Sequence, residues 1–152
     1  MTTWEEFAAA EPDFADRVRR VFQTQKHMTL ATLRRDGSPR ISGTEAAFDG
    51  RAVRLGMMPN SRKSLDLLQD PRLALHSPTI DPPSDAPQLW AGDAKITGRA
   101  KEIVTQERAE DASHSFEIDI TEVVLTKVGA PADHLVIESW TARDGHRTRR
   151  RN

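Results

Sequence analysis

Two Asp-Gly dipeptides, Asp36-Gly37 and Asp49-Gly50, separate three short segments that are rich in β-forming residues. An Asp-Gly pair is a strong hairpin signal, because both residues tolerate the positive φ angles that tight hairpin turns require. The segments 28–33, 39–48 and 52–58 are therefore predicted to form three antiparallel strands joined as a meander. This feature favours a β architecture over a helical one.

Two short helices are predicted before the first strand. Thr3 and Glu6 form a capping-box pattern that opens the first helix, and Pro12 ends it. The second helix carries an apolar stripe at helical spacing, made by Phe14, Val18, Val21 and Phe22. Both helices are predicted to cover the core.

One helix and four strands are predicted after the meander. The helix spans 61–69, with Leu65 and Leu68 on its inner face. The strand patterns cover the segments 72–77, 93–104 (bent at Gly98), 116–127 and 134–142. The polar segment 105–115 is predicted to hold a helical turn.

The chain of 152 residues has the length of one domain. Seven strands with few helices predict a mainly β fold, an antiparallel barrel. Within it, residues 1–26 are assigned to the helices, 27–142 to the barrel, and 143–152 to a basic tail that is partly disordered at 148–152. Only 37% of the residues are hydrophobic, so a partner subunit is expected to supply part of the burial.

The composition excludes several classes of function. There is no cysteine, which removes disulfides, thiolate metal sites and cysteine nucleophiles and agrees with a cytoplasmic protein. The net charge of −1 provides no field that attracts nucleic acid, and the five histidines lack metal-ligand spacing. The N-terminus has no long apolar run, so we expect no membrane span.

The start of the 61–69 helix is the most informative segment for function. Ser61 is followed by two cations, Arg62 and Lys63, in the first helical turn, where the helix dipole disfavours positive charge. A phosphate bound there would make these cations favourable, together with the free backbone N–H groups. Arg40, on a neighbouring strand, would reach the same anion. Two interpretations stay open here: a phosphate site, or two solvated side chains.

No nucleophile elbow, Walker loop or dinucleotide fingerprint occurs in the chain. Because side chains suited to catalysis are scarce, an anion-binding helix end is more easily explained if a cofactor carries the chemistry.

Five short segments carry a resemblance to a known family. They read TLATL at 29–33, DGSPR at 36–40, SRKSL at 61–65, DPRLAL at 70–75 and AKITGRA at 94–100. Their order and spacing resemble the pyridoxamine 5′-phosphate oxidase-like, flavin-binding split-barrel superfamily over residues 26–142. The resemblance implies a split β-barrel of six to seven strands and a homodimer that binds FMN at its interface.

The resemblance also implies roles for individual residues. Arg40, Arg62 and Lys63 would hold the FMN phosphate, and Ser61 would lie beside it. The flavin ring would run along the strand and turn of Leu55, Gly56, Met57 and Met58. Asp93 would touch the flavin from the other subunit, and Trp140 would approach the cofactor from the last strand.

The implied activity is that of an oxidoreductase that moves a hydride to or from a small organic substrate. Where the true oxidase ends in an Arg-x-His motif, this chain has Arg147-Thr148-Arg149, which argues against oxidation of pyridoxamine phosphate. A deazaflavin-dependent reductase is the first alternative, since the arginine-rich C-terminus would suit an acidic cofactor tail. A flavin-binding module without turnover is the second.

Overall fold

The computed structural model describes residues 1–104 and 113–152. Within those ranges the chain forms three α-helices, a single 3-10 turn and nine strands. The helices are Trp4–Ala10 (α1), Pro12–Phe22 (α2) and Arg62–Gln69 (α3), and the 3-10 turn is Pro87–Leu89. The strands are Met28–Leu33 (β1), Pro39–Thr44 (β2), Ala46–Phe48 (β3), Val53–Met57 (β4), Arg72–His76 (β5), Asp93–Glu102 (β6), His114–Val128 (β7), Leu135–Thr141 (β8) and Gly145–Arg151 (β9).

All the strand pairs are antiparallel, in the order β2-β1-β5-β6-β7-β4-β3, with β8 on β7 and β9 on β8. The two ends of this path, β2 and β3, follow each other in the chain across Glu45 alone. No pairing among the described residues joins β2 to β3, so the sheet is not a closed barrel. The mainly β, antiparallel split-barrel prediction is confirmed, with nine strands in place of seven.

Both predicted Asp-Gly turns are present, with Gly37 at φ +84° and Gly50 at φ +88°. The expected single strand over 39–48 is wrong, however, because it breaks at Glu45 into β2 and β3. β2 pairs with β1 and β3 pairs with β4, so the meander is split between the two ends of the sheet. The break allows one stretch of chain to pass from one end of the curved sheet to the other.

The long β6–β7 ladder carries the bend predicted at Gly98. Its register shifts between Thr97 and Gly98. A Cβ atom on Gly98 would overlap the carbonyl oxygen of Asp119, so a side chain does not fit there.

The N-terminal helices cover one side of the core, as predicted. Thr3 and Glu6 make both hydrogen bonds of a capping box. Trp4 and Phe7 of α1 are buried together with the apolar stripe of α2.

The α3 helix begins where the sequence predicts, with Ser61 as its N-cap, but its buried face is different. Leu65 and Leu68 are each 46% exposed, whereas Ser64, Asp66 and Leu67 are buried. The prediction that the two leucines face the core is therefore wrong. The helix turns its Asp66 carboxylate toward the sheet, where Arg40 and Thr32 bind it.

The C-terminus is ordered, in contrast to the predicted tail. β9 pairs with β8 along its whole length after a third Asp-Gly turn, in which Gly145 has φ +69°. Residues 105–112, which hold most of the helical turn predicted over 105–115, lie outside the described residues. No helix in the described part of the chain is both long and apolar enough to cross a bilayer.

Candidate functional site

A cleft of about 510 Å³ opens between the β1–β2 turn and α3. We call it the arginine cleft, and its lining residues are Arg34, Arg35, Asp36, Arg40, Arg62, Leu65, Asp66 and Gln69. Four guanidinium groups face two carboxylates, so the lining carries an excess of positive charge. Such a lining attracts anions.

Arg40 projects from β2, where it lies opposite Thr32 of β1. Its Nε donates a hydrogen bond of 2.7 Å to Oδ2 of Asp66 on α3. The hydroxyl of Thr32 donates to the same carboxylate oxygen, also at 2.7 Å. Because Asp66 is only 7% exposed, these two hydrogen bonds stabilise its buried carboxylate.

Arg62 is the first residue of α3, and its exposed side chain lines the same cleft as Arg40. The structure thus brings these two predicted phosphate ligands together. A guanidinium at a helix N-terminus is mildly unfavourable alone and becomes favourable beside a bound anion.

Lys63 and Ser61 lie at the same helix end but are engaged within the chain. Nζ of Lys63 donates a 2.7 Å hydrogen bond to the carbonyl oxygen of Gly43, which ties α3 to β2. Oγ of Ser61 accepts the helix-capping hydrogen bond from the backbone N–H of Ser64 at 3.3 Å. Neither residue lines the arginine cleft, and their contacts with a phosphate stay predictions.

The strand predicted to run along the flavin ring has two different faces. The side chains of Leu55 and Met57 are buried in the core, so any contact they make with a ligand involves the main chain. On the outer face, a Cβ on Gly56 would meet no atom within 4 Å, and Met58 is 78% exposed. The outer face therefore leaves room for a flat ring.

The other two predicted residues lie away from the arginine cleft. Trp140 is buried, and its ring centroid lies 4.8 Å from that of Phe7. Asp93 begins β6 opposite Thr126, and its buried Oδ1 has no hydrogen-bond partner among the described residues. Their contacts with a cofactor stay predictions.

Six residues of the cleft lining were not predicted as site residues: Arg34, Arg35, Asp36, Leu65, Asp66 and Gln69. Thr32, which donates a hydrogen bond to Asp66, was also missed. Two signals were available. The arginine pair directly precedes the Asp36-Gly37 turn, and Asp66 follows Arg62 by four residues, which places both on one helix face. The hydroxyl and backbone N–H of Ser38, together with nearby Arg34, lower the pKa of the Asp36 carboxyl, which keeps it charged.

The family profile of pyridoxamine 5′-phosphate oxidase matches residues 14–139, which is most of the chain. No curated protein matches the chain by sequence.

Several solved structures share the fold. An FMN-binding protein from Nostoc punctiforme, related to pyridoxamine 5′-phosphate oxidase, has a TM-score of 0.64 at 10% identity and covers 93% of this chain and 96% of its own. PhzG from Burkholderia lata, solved with tetrahydrophenazine-1-carboxylic acid, has a TM-score of 0.61 at 14% identity. The match covers 90% of this chain and 86% of PhzG. An F420 reductase has a TM-score of 0.52 at 17% identity, and the match covers 69% of this chain and 94% of the reductase. At such identities the likeness concerns the fold.

Proposed function

Because the chain belongs to the pyridoxamine 5′-phosphate oxidase family, we propose that it binds FMN and acts as an oxidoreductase on a small organic substrate. The observation that carries this proposal is the arginine cleft. Its positive lining includes Arg40 and Arg62, the two arginines at which the family resemblance expects the cofactor phosphate.

The donor set of the cleft fits a phosphate monoester. Such a group carries a charge of about −1.5 to −2 near neutral pH, which matches an excess of cations over carboxylates in the lining. Guanidinium groups bind phosphate oxygens through paired N–H donors, and charge-assisted hydrogen bonds of this kind are strong. Arg62 contributes its charge to this lining from the first turn of α3.

The chain's own residues would bind and orient the cofactor. Arg40 and Arg62 hold the phosphate, while the outer strand face at Gly56 and Met58 receives the ring. When bound, a flavin supplies hydride transfer, and the protein supplies positioning and exclusion of water.

We also propose that the active unit is a homodimer. Four large apolar side chains are exposed near the cleft or on the neighbouring elements: Ile41, Met58, Leu65 and Leu68. Ile41 is 75% exposed although it lies in the middle of β2. Exposed apolar side chains of this size are typical of an interface, and a second copy would cover Leu65 and Leu68 together with the open cofactor site.

Titration with FMN tests the proposal. Arg62→Ala removes an exposed side chain and should weaken FMN binding about tenfold or more, since a charged hydrogen bond contributes roughly 1.5–3 kcal/mol. Arg20→Ala removes an arginine on α2 that pairs with Asp16, and it serves as the matched control with unchanged affinity. Equal FMN affinity in wild type and Arg62→Ala would refute the assigned phosphate site.

A deazaflavin-dependent reductase is the second candidate, favoured by the structure of β9. By strand alternation, Arg147, Arg149 and Arg151 share one face of this exposed strand, which would suit an acidic cofactor tail. Replacing the three arginines with glutamine keeps the strand and removes the charge. Loss of deazaflavin binding with intact FMN binding would favour this candidate over the first.

A further inference from the structure

The arginine cleft contains a buried carboxylate, whose charge is the wrong sign for an anion site. Asp66 lines the cleft, is almost fully buried and carries a negative charge close to where a phosphate would bind. By charge alone, this group opposes anion binding. Its presence therefore calls for a role that outweighs the repulsion.

The hydrogen bonds of Asp66 show what it does to Arg40. Asp66 binds Arg40 through Nε only, at 2.7 Å. Nη1 and Nη2 of Arg40 have no hydrogen-bond partner among residues 1–104 and 113–152, so the end of the guanidinium remains available. This end carries the paired donors that suit two oxygens of one phosphate.

The position of Asp66 also relates Arg40 to Arg62. Asp66 lies one helical turn after Arg62, on the same face of α3. The Arg40–Asp66 ion pair therefore fixes a strand arginine relative to a helix arginine. The hydroxyl of Thr32 on β1 also holds the Asp66 carboxylate in place, through a hydrogen bond of 2.7 Å.

We propose that Asp66 is the positioning residue of the phosphate site, which orients Arg40 so that its terminal nitrogens face the cofactor phosphate. This inference rests on the proposed binding of FMN. A long arginine side chain loses much rotamer freedom when it binds a ligand, and an existing ion pair has already removed most of that freedom.

The test compares FMN with riboflavin, which lacks the phosphate. The ratio of the riboflavin Kd to the FMN Kd reports the contribution of the phosphate. Asp66→Asn should lower this ratio about tenfold while the riboflavin Kd stays unchanged. An unchanged or raised ratio would overturn the proposal, because removal of the charge alone strengthens anion binding.

Two further variants separate positioning from charge and from folding. Asp36→Asn removes the other carboxylate of the cleft without touching Arg40, so the ratio should rise, and a fall would show that the Asp66→Asn effect is not specific. If Asp66→Asn does not fold, Thr32→Val removes one of the hydrogen bonds that hold the carboxylate and should lower the ratio by a smaller factor. No fall in that variant would count against positioning.

A double-mutant cycle shows whether Asp66 acts through Arg40. In an Arg40→Ala background, Asp66→Asn should not lower the ratio further, and a second tenfold fall would overturn the proposal. The ratio in the wild-type protein distinguishes a failure of the proposed FMN binding from a failure of the proposed role of Asp66. A wild-type ratio near one would refute FMN binding through the phosphate, whereas a large ratio that Asp66→Asn leaves unchanged would refute only the role of Asp66.

Discussion

At the scale of single residues, the buried carboxylate of Glu138 joins three elements to β8. Both of its oxygens accept hydrogen bonds from Arg17 of α2, at 2.6 and 2.7 Å. His146 of β9 lies 3.1 Å away and Lys127 of β7 lies 3.6 Å away. The hydrogen bonds from Arg17, and then the nearby positive charges, lower the pKa of Glu138 below its ordinary value.

This cluster predicts a pH-dependent loss of stability. A carboxyl whose pKa is lowered by folding stabilises the protein above its unfolded pKa, here about 4.5, and this contribution is lost as the pH falls through the folded value. Glu138→Gln should lower the free energy of unfolding by about 2 kcal/mol at neutral pH, which is less than the loss expected for a fully buried pair, since the Arg17 side chain is 31% exposed. Urea unfolding of both proteins between about pH 7 and pH 3 should show the difference shrinking in acid. A difference that stays constant over this range would contradict the assignment.

At the scale of elements, β9 shows where sequence reasoning failed and why. Asp144-Gly145 is the same turn signal as Asp36-Gly37 and Asp49-Gly50, but the arginine-rich run after it has no alternation between apolar and polar residues. The strand is stabilised by its hydrogen-bonded ladder with β8 and by the ring of His146, which stacks on Phe14 with 4.6 Å between the ring centroids. These partners are distant in sequence, so no local pattern indicates them.

Removal of residues 144–152 therefore should destabilise the whole domain. The truncated chain loses the β8–β9 ladder and the contacts of His146 with Phe14 and Glu138, so we expect Tm to fall by about 5 °C or more in a thermal melt. Full-length protein with Arg149→Gln and Arg150→Gln, which keeps the strand, is the control. An unchanged Tm after truncation would indicate the disordered tail that the composition first predicted.

The α3 helix illustrates a second limit of sequence patterns. Its start and end follow from the Ser61 cap and from Asp70-Pro71, which are local signals. Its orientation depends instead on the ion pair between the buried carboxylate of Asp66 and the partly buried Arg40, which lie 26 residues apart. Apolar periodicity alone placed Leu65 and Leu68 inward, because it takes no account of a carboxylate that is stabilised by burial beside a guanidinium.

At the scale of the whole molecule, the order of the elements was predictable from the sequence. The way in which the sheet curves and its two ends are connected was not. Turn dipeptides, helix caps and strand alternation gave most elements and brought Arg40 and Arg62 together through β2 and α3. The split of the 39–48 segment at Glu45 depends on how the sheet curves around its core, which no single segment encodes.

The exposed leucines that the pattern placed inside predict a dimer interface. Leu65→Glu combined with Leu68→Glu should convert a dimer into a monomer, because two charges cannot be buried between subunits without partners. Leu89→Glu changes a leucine that is also exposed but lies in the Pro87–Leu89 turn, and it should leave the dimer intact. Analytical sedimentation of the wild type, the double variant and Leu89→Glu measures their oligomeric states. A monomeric wild type would contradict the proposed assembly.

The central claim is that the arginine cleft holds the phosphate of a flavin cofactor. A crystal structure of the protein equilibrated with FMN tests it most directly. We predict the phosphate oxygens within about 3 Å of guanidinium nitrogens of Arg40 and Arg62, with the ring along the outer face at Gly56 and Met58. A phosphate bound elsewhere, or a cleft that stays empty of FMN at saturating concentration, would contradict the account.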